Sequence, residues 1–317
     1  MKSVNVLKRL ILEKSFFRHR FLNSLVIISL LASVILFQQK CQAFEPIVPT
    51  ISIIIDDLGD RKSLGFRAAN LPPEVALSIL PHTPFSQVIA EFGHQRGMDI
   101  LLHQPMESEK HVELLGPGAL LSNMKRQQFA QTLQDNIDAI PYVIGINNHM
   151  GSLLTADREK MNWLMAELRQ RAIFFIDSRT TTKTIAATTA EHWQIPSMSR
   201  RVFLDHYDDP ESIDNQFRQL LRIARKEGHA IAIGHPRENT MRYLEQKLPE
   251  LAQAGIKLIS PSQLMHTQLA KKILPNQELK VVMPGHFYDN CYHRNIRSHS
   301  KFVPLFTLKE NIYCNAY

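Results

Sequence analysis

The chain has 317 residues, 44% of them apolar, enough for one large domain with appendages at its ends. Its formal charge is +7, but the basic residues crowd both ends and leave the middle nearly balanced. No basic strip interleaved with aromatics runs through that middle, so a pI near 9.3 is no argument for a nucleic-acid partner.

The first twenty residues carry Lys2, Lys8, Arg9, Lys14, Arg18 and Arg20 against Glu13 alone. Sixteen uncharged residues follow, Leu22 to Phe37, and then "QQKCQAFE" offers small residues for cleavage after Ala43. Residues 1–43 are therefore expected to be a signal peptide or an uncleaved signal anchor. The apolar run is shorter than the ~20 residues of a comfortable span. Either way the domain is expected outside the cytoplasm, periplasmic or anchored to the inner membrane and facing the periplasm, with the basic start inside. Residues 44–50 ("FEPIVPT") form a Pro-flanked linker.

From Ile51 onward two textures alternate. Short β-branched runs occur at Ile51–Ile55, Val75–Leu80, Asp99–Leu102, Val143–Ile146, Ile173–Ile176, Val202–Leu204, Ile231–Ile233 and Ile256–Ile259. Helical stripes lie between several of them: Phe129, Leu133, Ile137 and Ile140; Met161, Leu164, Met165 and Leu168; Ile213, Phe217, Leu220, Leu221 and Ala224. The joins "HQRGMDILL", "ARKEGHAIAIG" and "LAQAGIKLIS" each set a glycine where a helix must end left-handed. Strands apolar on both faces and alternating with helices are parallel strands buried by helices. Eight of them suit a (β/α) barrel. An open doubly wound sheet is the alternative, though no Gly-rich phosphate loop speaks for it.

The C-terminal ends of these runs carry Asp56 and Asp57, His82, His103, Asn147 with Asn148 and His149, Asp177 with Ser178, Asp205 and His235. Barrel active sites lie at that end of the strands. Nearly every strand thus ends in a metal-capable or acid–base side chain. Adjacent carboxylates repel, and in an extended chain they project to opposite sides. A cation gripped by one removes the repulsion and leaves the other free as a base. His82, between Pro81 and Pro84, reads as a loop residue outside this set.

The pattern resembles a known family. "SIIIDDLG" is similar to the Thr-Phe-Asp-Asp-Gly motif of polysaccharide deacetylases. "LLHQPM", "GINNHMGS", "FFIDS", "VFLD" and "AIGHP" then follow in the order seen in its divergent subgroup, covering about residues 50 to 265. The resemblance implies a distorted (β/α) barrel, often of seven strands, over residues 51–268. It implies Asp56 as general base, His235 as general acid, and Asp57 and His103 as ligands of a divalent metal, Zn first, with Co or Ni as alternatives. The family's second ligand histidine falls here on Glu107, so the third ligand is His149 or Glu107. The family's Arg-x-Pro-Tyr motif is absent, and "NNHMGS" takes its place. Asn147, Asn148, Asp177 and Asp205 are assigned to substrate binding, with Asp177 or Asp205 alternatively orienting His235.

The implied activity is removal of N-acetyl groups from a cell-envelope polysaccharide, peptidoglycan-like or chitin-like. The alternative is a non-catalytic envelope module that binds a glycan or partner on the same barrel, and a third is another metal hydrolase acting on an ester or phosphodiester. Residues 269–317 form a basic tail that is either disordered or touches anionic lipid or wall polymer. Its Cys291 and Cys314 are either free thiols or a disulfide.

Overall fold

Strand β1 (Thr50–Leu58) is the hub of the sheet in this computed structural model, which describes residues 48–273. The expected signal or anchor segment (residues 1–43), most of the expected linker, and nearly all of the tail with Cys291 and Cys314 lie outside the described residues. In chain order, β1 is followed by α1 (Lys62–Ala69), β2 (Ala76–Ile79), α2 (Ser86–Gln95), β3 (Ile100–Met106), α3 (Arg126–Asp138) and β4 (Val143–Met150). Then come α4 (Arg158–Arg171), β5 (Phe174–Asp177), α5 (Ala186–His192), β6 (Ser197–Ser199), β7 (Val202–Phe203) and α6 (Pro210–Glu227). The described part ends with β8 (His229–Gly234), α7 (Glu238–Lys247), β9 (Lys257–Leu258) and α8 (Pro261–Ile273). Among the described residues no helix is long and apolar enough to cross a membrane.

Every strand pairing is parallel, in the order β6-β5-β4-β3-β2-β1-β8-β7, with β9 added to the lower half of β1. The two ends of this path, β6 and β7, are joined by Arg200 and Arg201 alone. Three Cα steps of 3.8 Å hold them within about 11 Å of one another. The sheet therefore curls round on itself into a distorted barrel, interrupted at the β6–β7 seam; an open doubly wound sheet would carry its edges apart. All eight strands expected from the sequence are present. The ninth, β6, is the polar triplet Ser197-Met198-Ser199, which has no β-branched signal.

Two apolar clusters coat the strands, one on each face. Ile54, Ala76, Leu101, Phe174, Ile176, Ile231 and Ile233 fill the barrel interior, closed below by Leu264 and Met265 of α8. Ile53, Ile55, Leu77, Ile79, Ile100 and Leu102 face outward against the helices. Asp99 fastens the plug: it accepts from the Ser262 backbone N–H at 2.7 Å and its hydroxyl at 2.9 Å. The glycines at three helix-to-strand joins, Gly97, Gly228 and Gly255, all have the expected positive φ.

The period of two along a strand then decides what lies above the apolar interior. Continuing upward from Ile54, Ala76, Leu101 and Gly145 gives Asp56, Ser78, His103 and Asn147 on the same inward face. The last two are direct register partners on β3 and β4.

Candidate metal centre

The upper inward layer brings three donor atoms together. Asp57 Oδ1 lies 2.9 Å from His149 Nδ1 and 3.1 Å from His103 Nε2, and the two histidine nitrogens are 3.1 Å apart. His235 closes another side, its Nε2 3.6 Å from Asp57 Oδ2. Asp56, 2% exposed, sits beneath with Oδ2 3.6 Å from His103 Nε2.

Both carboxylates of the doublet face this one point, which corrects the expectation that they diverge. Asp57 has φ +55°, and the β1–β2 register shifts between Ile55 and Leu58. A regular strand would send Asp57 outward with Ile55, into the helix layer. The left-handed residue turns it back over the barrel mouth, a strained backbone of the kind kept at functional sites. Helix capping has no part in it, because α1 begins at Lys62 with Arg61 as its cap residue.

The donor triangle fits a cation. With ligand bonds of about 2.1 Å, donors at right angles are about 3.0 Å apart and donors at tetrahedral angles about 3.4 Å. The observed edges lie at the first value. Without a cation the same triangle is frustrated. Both imidazoles approach Asp57 Oδ1, yet this buried oxygen has no hydrogen bond of good geometry. Nor is His103 free to change tautomer easily. Its Nδ1 donates to Asn147 Oδ1 at 2.9 Å, an oxygen that also accepts from Ser78 Oγ, so Nε2 is the nitrogen turned to the triangle. A divalent ion would satisfy the oxygen and take the place of any proton on Nε2.

The charges are arranged to match. Burial pushes the Asp56 carboxyl up, outweighing the pull of His103, His235 and the Asn147 amide. Burial opposes the Asp57 charge as well, but the close contacts of His103 and His149 and the nearby imidazole charges prevail. They hold that carboxyl far below the usual range. Burial likewise works against a charged His103, yet Asp56 and Asp57 lift it to about 9. Neighbouring carboxylates with opposite shifts are the pattern of one acid–base group and one permanent anion.

The remaining sequence-assigned residues fall elsewhere. Glu107 is not at the triangle: its carboxylate accepts the Ser122 N–H and its carbonyl accepts from Leu153 and Leu154, so it staples loops together. Geometry thus leaves His149 rather than Glu107 beside Asp57. The four residues assigned to substrate are all buried and hydrogen-bonded within the protein. Asn147 donates to Asp56 Oδ1 at 2.8 Å besides holding His103. Asn148 ties the Ser178 N–H to the Met150 carbonyl. Asp177 accepts from the Arg179 N–H and Thr184 Oγ1, ordering the loop after β5.

Asp205 serves His235, the other role considered for it. Its Oδ1 lies 2.9 Å from His235 Nδ1, while its Oδ2 accepts the His235 backbone N–H and Thr240 Oγ1. That bond leaves Nε2 as the atom His235 presents to the site. Burial disfavours the imidazolium, but Asp205 and the Asp57 charge more than compensate and raise it above its ordinary value. His82, as expected, is a loop residue, bonded to Asn136. Sequence reasoning missed Ser78 and Thr240. Counting two residues up from Ala76 would have found the first; no sequence signal marks the second.

Comparison with known proteins agrees with this architecture. The family model described as divergent polysaccharide deacetylase matches residues 53–265. An uncharacterized protein of Haemophilus influenzae is 33% identical over 225 residues, 71% of this chain and 79% of that protein. The uncharacterized protein YibQ of Escherichia coli is 31% identical over 216 residues, 68% and 67% of the two chains. The crystal structure of the uncharacterized protein ATU2773 from Agrobacterium tumefaciens superposes with a TM-score of 0.66 at 23% identity. It covers 68% of this chain and 89% of its own, a likeness of fold. By the matched length and the identity of these relatives, the chain belongs to the divergent polysaccharide deacetylase family.

Proposed function

We propose that the protein is an exported, periplasmic hydrolase that removes N-acetyl groups from a cell-envelope glycan, using a divalent cation, Zn before Co or Ni. Asp57, His103 and His149 would hold the cation. When bound, it supplies Lewis acidity toward carbonyl and water oxygens. The family suggests a glycan substrate; export rests on the basic, then apolar, start of the sequence.

In this reading Asp56 takes the proton of the attacking water, a task suited to a buried carboxylate raised from its usual range. The new bond joins the water oxygen to the acetyl carbon, and the carbon–nitrogen bond breaks. His235, protonated and steered by Asp205, gives the proton from Nε2 to the departing amine nitrogen. Asn147 keeps both halves in place by holding Asp56 and His103 at once. The observation that carries the reading is the three-donor triangle with an acid and a base on its flanks. Glu107 is not among the donors; His149 holds the third place beside Asp57 and His103.

Asp57→Asn tests it: the amide suits the left-handed backbone and keeps the side chain's size. Purified protein should hold close to one equivalent of metal and release acetate from N-acetylated oligosaccharides, and the variant should lose both while keeping its melting temperature. Full metal content in the folded variant would refute the ligand assignment. Metal-free wild-type protein that still binds glycan would favour a non-catalytic module.

A further inference from the structure

The β6–β7 seam carries charge that the proposed chemistry does not use. A cavity of about 370 Å³ opens there, lined by Arg179, Thr181 and Thr182 after β5, Arg200 and Arg201 of the seam, and Gln219 of α6. Three guanidinium groups share it, and its lining contains no carboxylate. Arg201 is paired with Glu227 at 2.6 Å. Arg200 makes no direct ion pair among the described residues: its Nε donates to the Ser178 carbonyl at 2.6 Å and a terminal nitrogen to the Arg179 carbonyl at 2.9 Å. Two neutral acceptors fix the plane of this guanidinium and leave its charge intact.

Arg179 is held there at a cost. Its backbone has φ +50°, kept left-handed by the N–H bond to Asp177 Oδ1 at 2.8 Å. Among the described residues no ion pair involves its side chain. Burial, and then the nearby charge of Arg179, disfavour the charge on Arg200, while the carboxylates of Asp177 and Asp56 act the other way. Two like charges held together by backbone strain and carbonyl clamps form a ready site for an anion.

The site communicates with the metal centre through one side chain. The Arg200 guanidinium lies 4.9 Å above the Phe203 ring, and that ring lies 5.0 Å from the ring of His235. A single aromatic residue therefore separates the arginine pair from the proposed acid. The geometry points to an acidic glycan as substrate: a carboxylate or phosphate on a sugar next to the N-acetylated one docks between Arg179 and Arg200, with the threonine hydroxyls as further donors. This rests on the deacetylase reading and names the substrate class for it.

Calorimetric titration and acetate release, measured on the same samples, test it. The probes are a neutral N-acetylglucosamine oligomer, a carboxylated oligomer of equal length and a phosphorylated one. The variants are Arg179→Asn, which tolerates the left-handed backbone, and Arg179→Lys. A charge-assisted contact predicts that the wild-type protein binds an anionic oligomer about ten- to a hundredfold more tightly than the neutral one. The preference should shrink as salt rises, collapse in Arg179→Asn and partly return in Arg179→Lys. Whichever anionic oligomer shows the effect identifies the group. Equal wild-type affinity for all three oligomers, or an undiminished preference in a folded Arg179→Asn, overturns the inference. Acetate release without any preference sinks the acidic substrate alone; Arg179-dependent anion binding without acetate release keeps the docking site and sinks the deacetylase reading.

Discussion

Asn147→Asp separates the proposed base from the proposed ligands with a change of one atom. Asn147 Nδ2 donates to Asp56 Oδ1 at 2.8 Å, and Asn147 Oδ1 accepts from His103 Nδ1 at 2.9 Å. The substitution keeps the acceptor toward His103, and a carboxylate there makes the ligand more basic. Toward Asp56 it replaces an N–H by a second anionic oxygen. Two carboxylate charges about 4 Å apart repel by about 4 kcal/mol at an effective dielectric of 20. At 1.36 kcal/mol per decade, the doubly ionised pair becomes about a thousandfold scarcer, and one of the two carboxyls holds a proton at neutral pH. The expected variant is folded, carries metal as the wild type does, and releases acetate at least severalfold more slowly at pH 7, more slowly still at lower pH, with recovery as the pH rises. Elemental analysis and a pH–rate profile on one preparation decide it. A wild-type rate at pH 7 would refute Asp56 as the base. Loss of metal from a folded variant would refute the view that Asn147 only steers His103.

Asp205→Asn should leave metal content unchanged and lower acetate release about a hundredfold, because His235 loses the anion that orients and charges it. The same substitution has a signature in stability. Burial opposes the Asp205 charge, but the His235 contacts and the Thr240 hydroxyl hold this carboxyl below its usual value. A carboxyl depressed in the folded state contributes stability that is present above its unfolded value near 3.9 and is lost as pH falls through the folded one. Acid unfolding of the wild type below about pH 4 should therefore be shallower in the variant, as followed by circular dichroism. Gly59→Ala should destabilise from two causes: φ is +127°, and the added Cβ would lie 2.0 Å from Thr83 Oγ1. A cost of about 2 kcal/mol lowers the melting temperature by roughly 4–8 °C. An unchanged calorimetric scan would show that the end of β1 yields easily.

Much of the candidate metal site is legible in the chain because parallel strands impose simple rules. β-branched runs separated by amphipathic stripes identified eight of nine strands, and the carboxyl ends of those runs held Asp56, Asp57, His103, His149, Asp205 and His235. The rule fails where polar side chains choose among partners. Asn147, Asn148 and Asp177 at strand ends look free to meet a sugar, yet each is consumed by neighbours 30 or more residues away or by its own loop. Glu107 stands at the spacing of a ligand and is turned to Ser122 instead.

What the sequence by itself determined was the alternation that builds a two-faced parallel sheet and the set of ionisable groups crowning it, since periodicity and strand direction are local properties. Only the tertiary structure decided that Asp57 turns left-handed to join Asp56 on one side, that His149 rather than Glu107 meets it, and that Arg179 and Arg200 line one cavity beside the seam. Those outcomes depend on which strands become neighbours and how far each is staggered. Barrel closure sets both, bringing together atoms whose spacing along the chain carries no trace of the contact.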